Sequence, residues 1–203
     1  MQKRDELIPT VARVFAELGY RRTTTVELAE RCGVQETILY RLWPDKRSMF
    51  IAAIHHVHEL SVRTWERLLD GRGPGTAAER LLAYEAAHLG EFGHARIIFA
   101  GLSETDDPEI RRALAVMYRR YQEFIQAQVG AHRAERTRRS PRARPADAAL
   151  AAWAMIGLGT VATIARELEL LGAGDRTRLL MDVGGVLLGG QDGATPRGAP
   201  RRR

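Results

Sequence analysis

Six side chains in one short stretch carry groups that complement a nucleic acid. Arg41 offers paired guanidinium donors that match guanine O6 and N7, and Glu36 offers an acceptor-only carboxylate that suits cytosine N4. Thr37 and Ile38 bring methyl groups to a thymine methyl, while Tyr40 and Lys46 suit phosphate oxygens. On a helical wheel anchored inward at Leu39, Thr37 and Arg41 fall one turn apart on the outward face. Glu36 and Tyr40 flank them on one side and Ile38 on the other. The alternative for this pattern is a plain three-helix bundle that merely carries these residues on its surface.

The elements that position this face are legible on either side. Leu7, Ile8, Val11, Ala12, Phe15 and Leu18 repeat at helical spacing and predict a first helix over Arg4–Leu18, with Gly19 free to take the left-handed cap. Thr24 and Glu27 have the spacing of a capping box, which opens a second helix running to about Arg31. Gly33 makes the turn, and a third helix covers Gln35–Leu42. Pro44 stops it, and Asp45 caps a long helix with Met49, Phe50, Ala53, Ile54 and Val57 on one stripe. Two short helices joined by a glycine turn are the layout of a helix-turn-helix, which places its second helix in a DNA major groove.

The same stretch resembles the N-terminal domain of the tetracycline-repressor (TetR) family. The resemblance rests on Phe15-Ala-Glu-Leu-Gly-Tyr20, Thr23-Thr-Thr-Val-Glu-Leu-Ala29, Cys32-Gly-Val34, Leu39-Tyr40 and Pro44-Asp-Lys46, over about Leu7–Ile54. It implies an all-α homodimeric transcription factor with a palindromic double-stranded DNA operator. It also implies a C-terminal helical domain that dimerises and holds a small-molecule inducer. By position, the DNA-facing roles fall on Thr24, Gln35, Glu36, Thr37, Ile38, Tyr40, Arg41 and Lys46. Gln35, Glu36, Thr37, Ile38, Leu42 and Trp43 depart from the family's usual residues, so the operator is this protein's own.

Further along, helices are expected over Ala77–Glu91, Ala95–Ser103 and Pro108–Arg133, then over Asp147–Leu171 and Asp175–Leu188, about nine in all with no strand pattern. The expected division is a helix-turn-helix domain over 1–46, a ligand-binding and dimerisation domain over 47–190, and a disordered basic tail over 191–203. Ala134–Pro145, rich in Arg with Ser-Pro, reads as a mobile loop. In a TetR-like body the middle helices surround a pocket. Its candidate lining is Tyr84, His88, Phe92, Phe99, Met117, Tyr121, Phe124 and Trp153, apolar enough to suit an uncharged or weakly polar ligand. Small and branched residues of the last two helices, Ala152, Gly157, Gly159, Val161, Leu179, Val183 and Leu187, suit a four-helix dimer interface or ordinary packing within the chain.

Bulk properties narrow the classes. The 203 residues carry a formal net charge of +6, yet residues 1–50 hold nine Lys/Arg against seven Asp/Glu. The excess lies in Arg133–Arg144 and Arg197–Arg203, so charge alone says little about DNA. The single cysteine, Cys32, excludes an internal disulfide and suits a small apolar role in a reducing cytoplasm. The charged N-terminus gives no secretory signal, and no segment reads as a membrane span; Ala148–Ala165 is broken by Thr160, Thr163 and two glycines. His55, His56 and His58 with Glu59 lack a second convergent pair, so no metal or cofactor is expected. No Ser/His/Asp set or phosphate-binding loop argues for an enzyme. A constitutive or partner-regulated DNA-binding factor, and more remotely a metal-dependent helical enzyme, remain the other readings.

Overall fold

The computed structural model describes residues 2–71, 73–89, 94–139 and 147–189. Among them the chain is all-α, with nine helices: α1 (Gln2–Arg22), α2 (Thr25–Cys32), α3 (Glu36–Leu42), α4 (Lys46–Asp70), α5 (Ala77–His88), α6 (His94–Leu102), α7 (Pro108–Arg139), α8 (Ala148–Glu167) and α9 (Ala173–Leu188). The expected basic tail and Phe92 lie outside the described residues.

Four helix starts are fixed by side-chain caps that the sequence announces. Thr24 accepts from the Glu27 amide at 3.1 Å, Asp45 from the Ser48 amide at 2.6 Å, and Asp147 from the Ala149 amide at 2.8 Å. Asp107 accepts from the amides of Glu109 (2.8 Å) and Ile110 (3.2 Å), with Pro108 in the first turn of α7. Gly19, at φ 75° and ψ 168°, interrupts α1 with a positive φ but outside the left-handed helical region expected of a cap, whereas Gly33, at φ 63° and ψ 33°, ends α2 within that region.

The helices divide between two compact units. One comprises residues 1–72 and 88–121, the other 73–87 and 122–203. In the first, α1 packs on α2, α4 and α6 around a core of Val11, Phe15, Leu28, Leu39, Trp43, Phe50, Ile54, Ile97, Ile110 and Met117. Phe15 meets Phe50 edge-on at 4.9 Å between ring centroids, and Tyr20 lies 4.9 Å from Phe50. In the second, α8 packs on α9; Ala151, Ala152, Ala162 and Ala165 are buried on α8 and Leu180, Gly184 and Leu188 on α9, with Ala151 and Leu188 in one cluster with Ala78 and Val129. Gly184 gives the Leu82 side chain of α5 its room: a Cβ would lie 2.5 Å from Leu82 Cδ1 and force that side chain to move.

Two expectations about these elements are corrected. The arginine-rich stretch is not a loop from Ala134: α7 continues to Arg139, because Ala, Glu and Arg are good helix formers once a helix is running. Arg133 also has a structural task, donating to the carbonyls of Leu187 (2.7 Å) and Leu188 (3.4 Å) at the end of α9. The second correction concerns α8, which is long and apolar enough by length and composition to cross a membrane. Its threonines do not interrupt the apolar surface, since Thr160 and Thr163 donate to the carbonyls of Ile156 and Gly159, both at 2.9 Å.

Candidate nucleic-acid interface

The α2–α3 pair is built outward from Leu39, which is fully buried while its neighbours on α3 are not. Gln35, Thr37, Tyr40 and Arg41 are exposed, and Glu36 and Ile38 are half-buried. Thr24 is exposed at the start of α2. The outward face of the wheel therefore exists as a surface, and the side chains on it keep the order read from the sequence.

Their hydrogen bonds were not legible beforehand. Thr25 Oγ1, on the first residue of α2, donates to Glu36 Oε1 at 2.7 Å. The same oxygen accepts from the Tyr40 hydroxyl at 3.2 Å. Glu36 and Tyr40, one turn apart on α3, are thus both tied to α2 through one hydroxyl. Sequence reasoning singled out Thr24 and passed over Thr25, because three consecutive threonines do not reveal which will face a neighbouring helix.

Lys46 is also engaged. Its Nζ donates to the carbonyls of Tyr20 (3.1 Å) and Thr23 (3.0 Å) and lies 4.5 Å from the Tyr20 ring centroid. An ammonium has three N–H donors, so one is left for a phosphate. The turn it holds is braced from the other side by Thr23, fully buried, whose hydroxyl donates to Gly19 O at 2.7 Å. Trp43 is 1% exposed, which makes it core, with the Arg4 guanidinium 5.2 Å from its ring centroid. Cys32 is half-buried, and burial pushes its thiol pKa up, away from the reactive thiolate.

Two ion-pair groups tie this segment to the turn between α6 and α7. Arg21 Nε pairs with Glu104 Oε1 at 2.7 Å. Arg47 is ringed by Asp45 (3.6 Å), Asp107 (3.4 Å) and Glu109 (3.4 Å).

The candidate pocket residues are scattered between the units. Met117 is buried in the first unit, where Phe99 and Tyr121 are half-buried. Tyr121 lies 4.8 Å from His58 and 5.2 Å from Trp65 between ring centroids, and its hydroxyl donates to Ser61 Oγ at 3.3 Å. His58 is only 7% exposed, and its Nε2 has no hydrogen-bond partner among the described residues. His88, at the end of α5, is half-buried, as are Tyr84 and Phe124 of the second unit. Trp153 departs from the expected lining: it is 47% exposed on α8.

The interface candidates also separate. Ala152 is fully buried within the chain and does not lie on a free face. Leu150, Trp153, Val161 and Ile164 stand exposed at helical spacing along α8, with exposed Gly157 among them and exposed Leu168 just past the helix end. Gly159 is half-buried, as are Leu179 and Leu187, while Met181, Val183 and Val186 are exposed on α9. Among the described residues no group of three or more His, Cys, Asp or Glu is arranged to hold a metal ion.

Comparison with known proteins bears on residues 8–53, which match the sequence profile of the bacterial regulatory proteins of the tetR family. Over 69 residues the chain is 36% identical to the nucleoid occlusion factor SlmA of Vibrio atlanticus, a match covering 34% of this chain and 35% of that protein. The chain thus spans about a third of the length of the curated relatives it matches. The backbone is similar over most of its length to a solved Rhodococcus sp. protein assigned to the TetR family of transcriptional regulators. The TM-score is 0.77 at 18% identity, with 93% of this chain and 100% of that chain covered. It is also similar to the fatty acid degradation regulator FadR of Bacillus halodurans, at TM-score 0.72 and 18% identity over 95% and 97% of the two chains. At this identity the likeness is one of fold.

Proposed function

We propose that the chain, whose residues 8–53 match the tetR-family profile, is a DNA-binding transcriptional regulator of that family, and that it is a homodimeric repressor released from a palindromic operator by a small, largely apolar ligand. The observation that carries the reading is the exposed row Gln35, Thr37, Tyr40 and Arg41 on a helix anchored by buried Leu39. In this reading residues 1–46 bind DNA, with Thr24, Glu36, Ile38 and Lys46 completing the contact set. Residues 47–190 sense and dimerise, and residues 191–203 are a basic tail. The protein works in the cytoplasm, where its DNA lies.

Dimerisation is supported by the bare apolar stripe of α8 together with Met181, Val183 and Val186 of α9. Contiguous apolar surface of this kind marks an interaction site, and paired half-sites call for two-fold symmetry. Release is supported by the ion pairs of Arg21 and Arg47, through which a displacement of the α6–α7 turn reaches the DNA-binding helices. The FadR likeness is in keeping with an apolar ligand, since that protein is named for fatty acid degradation. A second reading, a constitutive or partner-regulated DNA-binding factor, draws on the identity with a protein named as a nucleoid occlusion factor.

The test is selection of bound duplexes from a random-sequence pool, then titration of the enriched duplex with a panel of small apolar molecules. An inverted repeat and a ligand that both binds and weakens DNA affinity are expected. An unpaired half-site overturns the dimer reading. Ligands that bind without changing DNA affinity overturn induction, since coupling requires different affinities for the two states.

A further inference from the structure

We infer that Glu36 reads a cytosine in each operator half-site and that Thr25 is the positioning residue which aims it. The inference rests on the DNA-reading function proposed above. It adds the base that is read and a residue outside the reading helix on which the reading depends.

Glu36 sits on the first residue of α3, half-buried between the exposed Gln35 and Thr37. A free glutamate there would sample many rotamers, and most would bring its charge toward phosphates. Here one carboxylate oxygen, Oε1, is held by the Thr25 hydroxyl at 2.7 Å. Thr25 cannot turn away without losing both of its partners, because its lone pair is filled by the Tyr40 hydroxyl at 3.2 Å. The bond fixes the direction of Oε2, and the entropy of ordering that side chain is already spent before DNA arrives.

An ionised carboxylate only accepts hydrogen bonds. In the major groove the donors are cytosine N4 and adenine N6. Adenine places the N7 acceptor beside its donor, which repels a carboxylate, whereas cytosine N4 has no acceptor beside it on its own base. The geometry therefore selects a C·G pair. Tyr40 has one hydroxyl proton, donated inward to Thr25, so it meets a phosphate as an oriented ring and not as a donor unless the chain Tyr40–Thr25–Glu36 is broken.

The experiment uses the full chain and a pool of random-sequence duplexes, with wild type, Thr25→Val, Thr25→Ser, Glu36→Ala and Tyr40→Phe selected in parallel. Thermal melting verifies that each variant is folded. Wild type is expected to fix cytosine at one position of each half-site. Thr25→Val reduces that preference roughly tenfold, the scale of one good base contact, while other positions and the salt dependence of binding stay unchanged. Thr25→Ser restores the preference, Glu36→Ala removes it, and Tyr40→Phe, which takes away one of the two bonds that hold Thr25, weakens it by less than Thr25→Val does. A cytosine preference that persists in both Thr25→Val and Glu36→Ala overturns the inference alone. So does a Thr25→Val variant that loses affinity evenly at all positions, since that marks a purely structural role. A wild-type pool with no enrichment overturns the DNA-reading function together with the inference.

Discussion

Arg41 is the exposed cation of α3 and stands one turn from Thr37. Its replacement by Ala is expected to cost about 1–3 kcal/mol of specific binding and to relax preference at one base position, measured by anisotropy on a panel of single-base operator variants. Lys46→Met behaves differently. It removes two hydrogen bonds to the carbonyls of Tyr20 and Thr23, so melting temperature falls along with DNA affinity. The histidines of α4 give a pH signature. Burial lowers the pKa of His55, His56 and His58, with the Arg120 cation lowering it further for His55 and His58; Arg63 does the same for His56, and Glu59 opposes all three. A base kept neutral in the fold takes up a proton on unfolding, so the unfolded chain binds more protons below about pH 6.5. The stabilisation is complete above that pH and is lost as pH falls through the lowered values. Thermal unfolding across this window is expected to show the loss, and His58→Phe, which keeps a ring beside Tyr121, to flatten it. Leu39 and the outward face of α3 were readable from spacing alone. Thr25 was not, because its partner depends on the angle between two helices and spacing within one helix carries no such information.

Helix ends were the most legible elements. Asp45, Asp107 and Asp147 are caps by residue type, and Gly33 is a turn by conformational need. Gly33→Ala is expected to cost about 1–2 kcal/mol, because an L-residue is forced to positive φ. The α2–α3 angle shifts with it, so DNA affinity falls more steeply than the melting temperature in a side-by-side titration and melt. What the sequence hid lies where one feature served two needs. Arg133 belongs by composition to a solvated charge run, yet it closes the end of α9. Ala152 belongs by size to an interface, yet it is wholly taken up by packing within the chain. On α8 one apolar face is buried and another exposed, a difference that composition does not carry.

Residues 8–53, which match the tetR-family profile, lie in the first unit, and the last two helices of the second keep a bare apolar stripe. Val161→Asp with Ile164→Asp places two carboxylates on that stripe without touching buried Ala162, Thr163 or Ala165. The variant is expected to sediment as a monomer with wild-type helicity and to lose most of its affinity for an inverted repeat, while its weak binding to a single half-site is unchanged. A variant that still sediments as a dimer argues that association uses another surface.

The chain's three tryptophans occupy contrasting surroundings: Trp43 is sealed in the first core, Trp65 leans on Tyr121, and Trp153 stands 47% exposed on α8. An indole in water emits at longer wavelength than one in a dry interior. If the chain pairs through α8 as proposed, Trp153 is a built-in optical gauge of that pairing. Dilution should shift the emission to the red at the concentration where subunits part, and Trp153→Phe should leave a spectrum that ignores dilution. No dye has to be attached, because the residue that appears wasted on the outside of the subunit is the one that glows differently when it is covered.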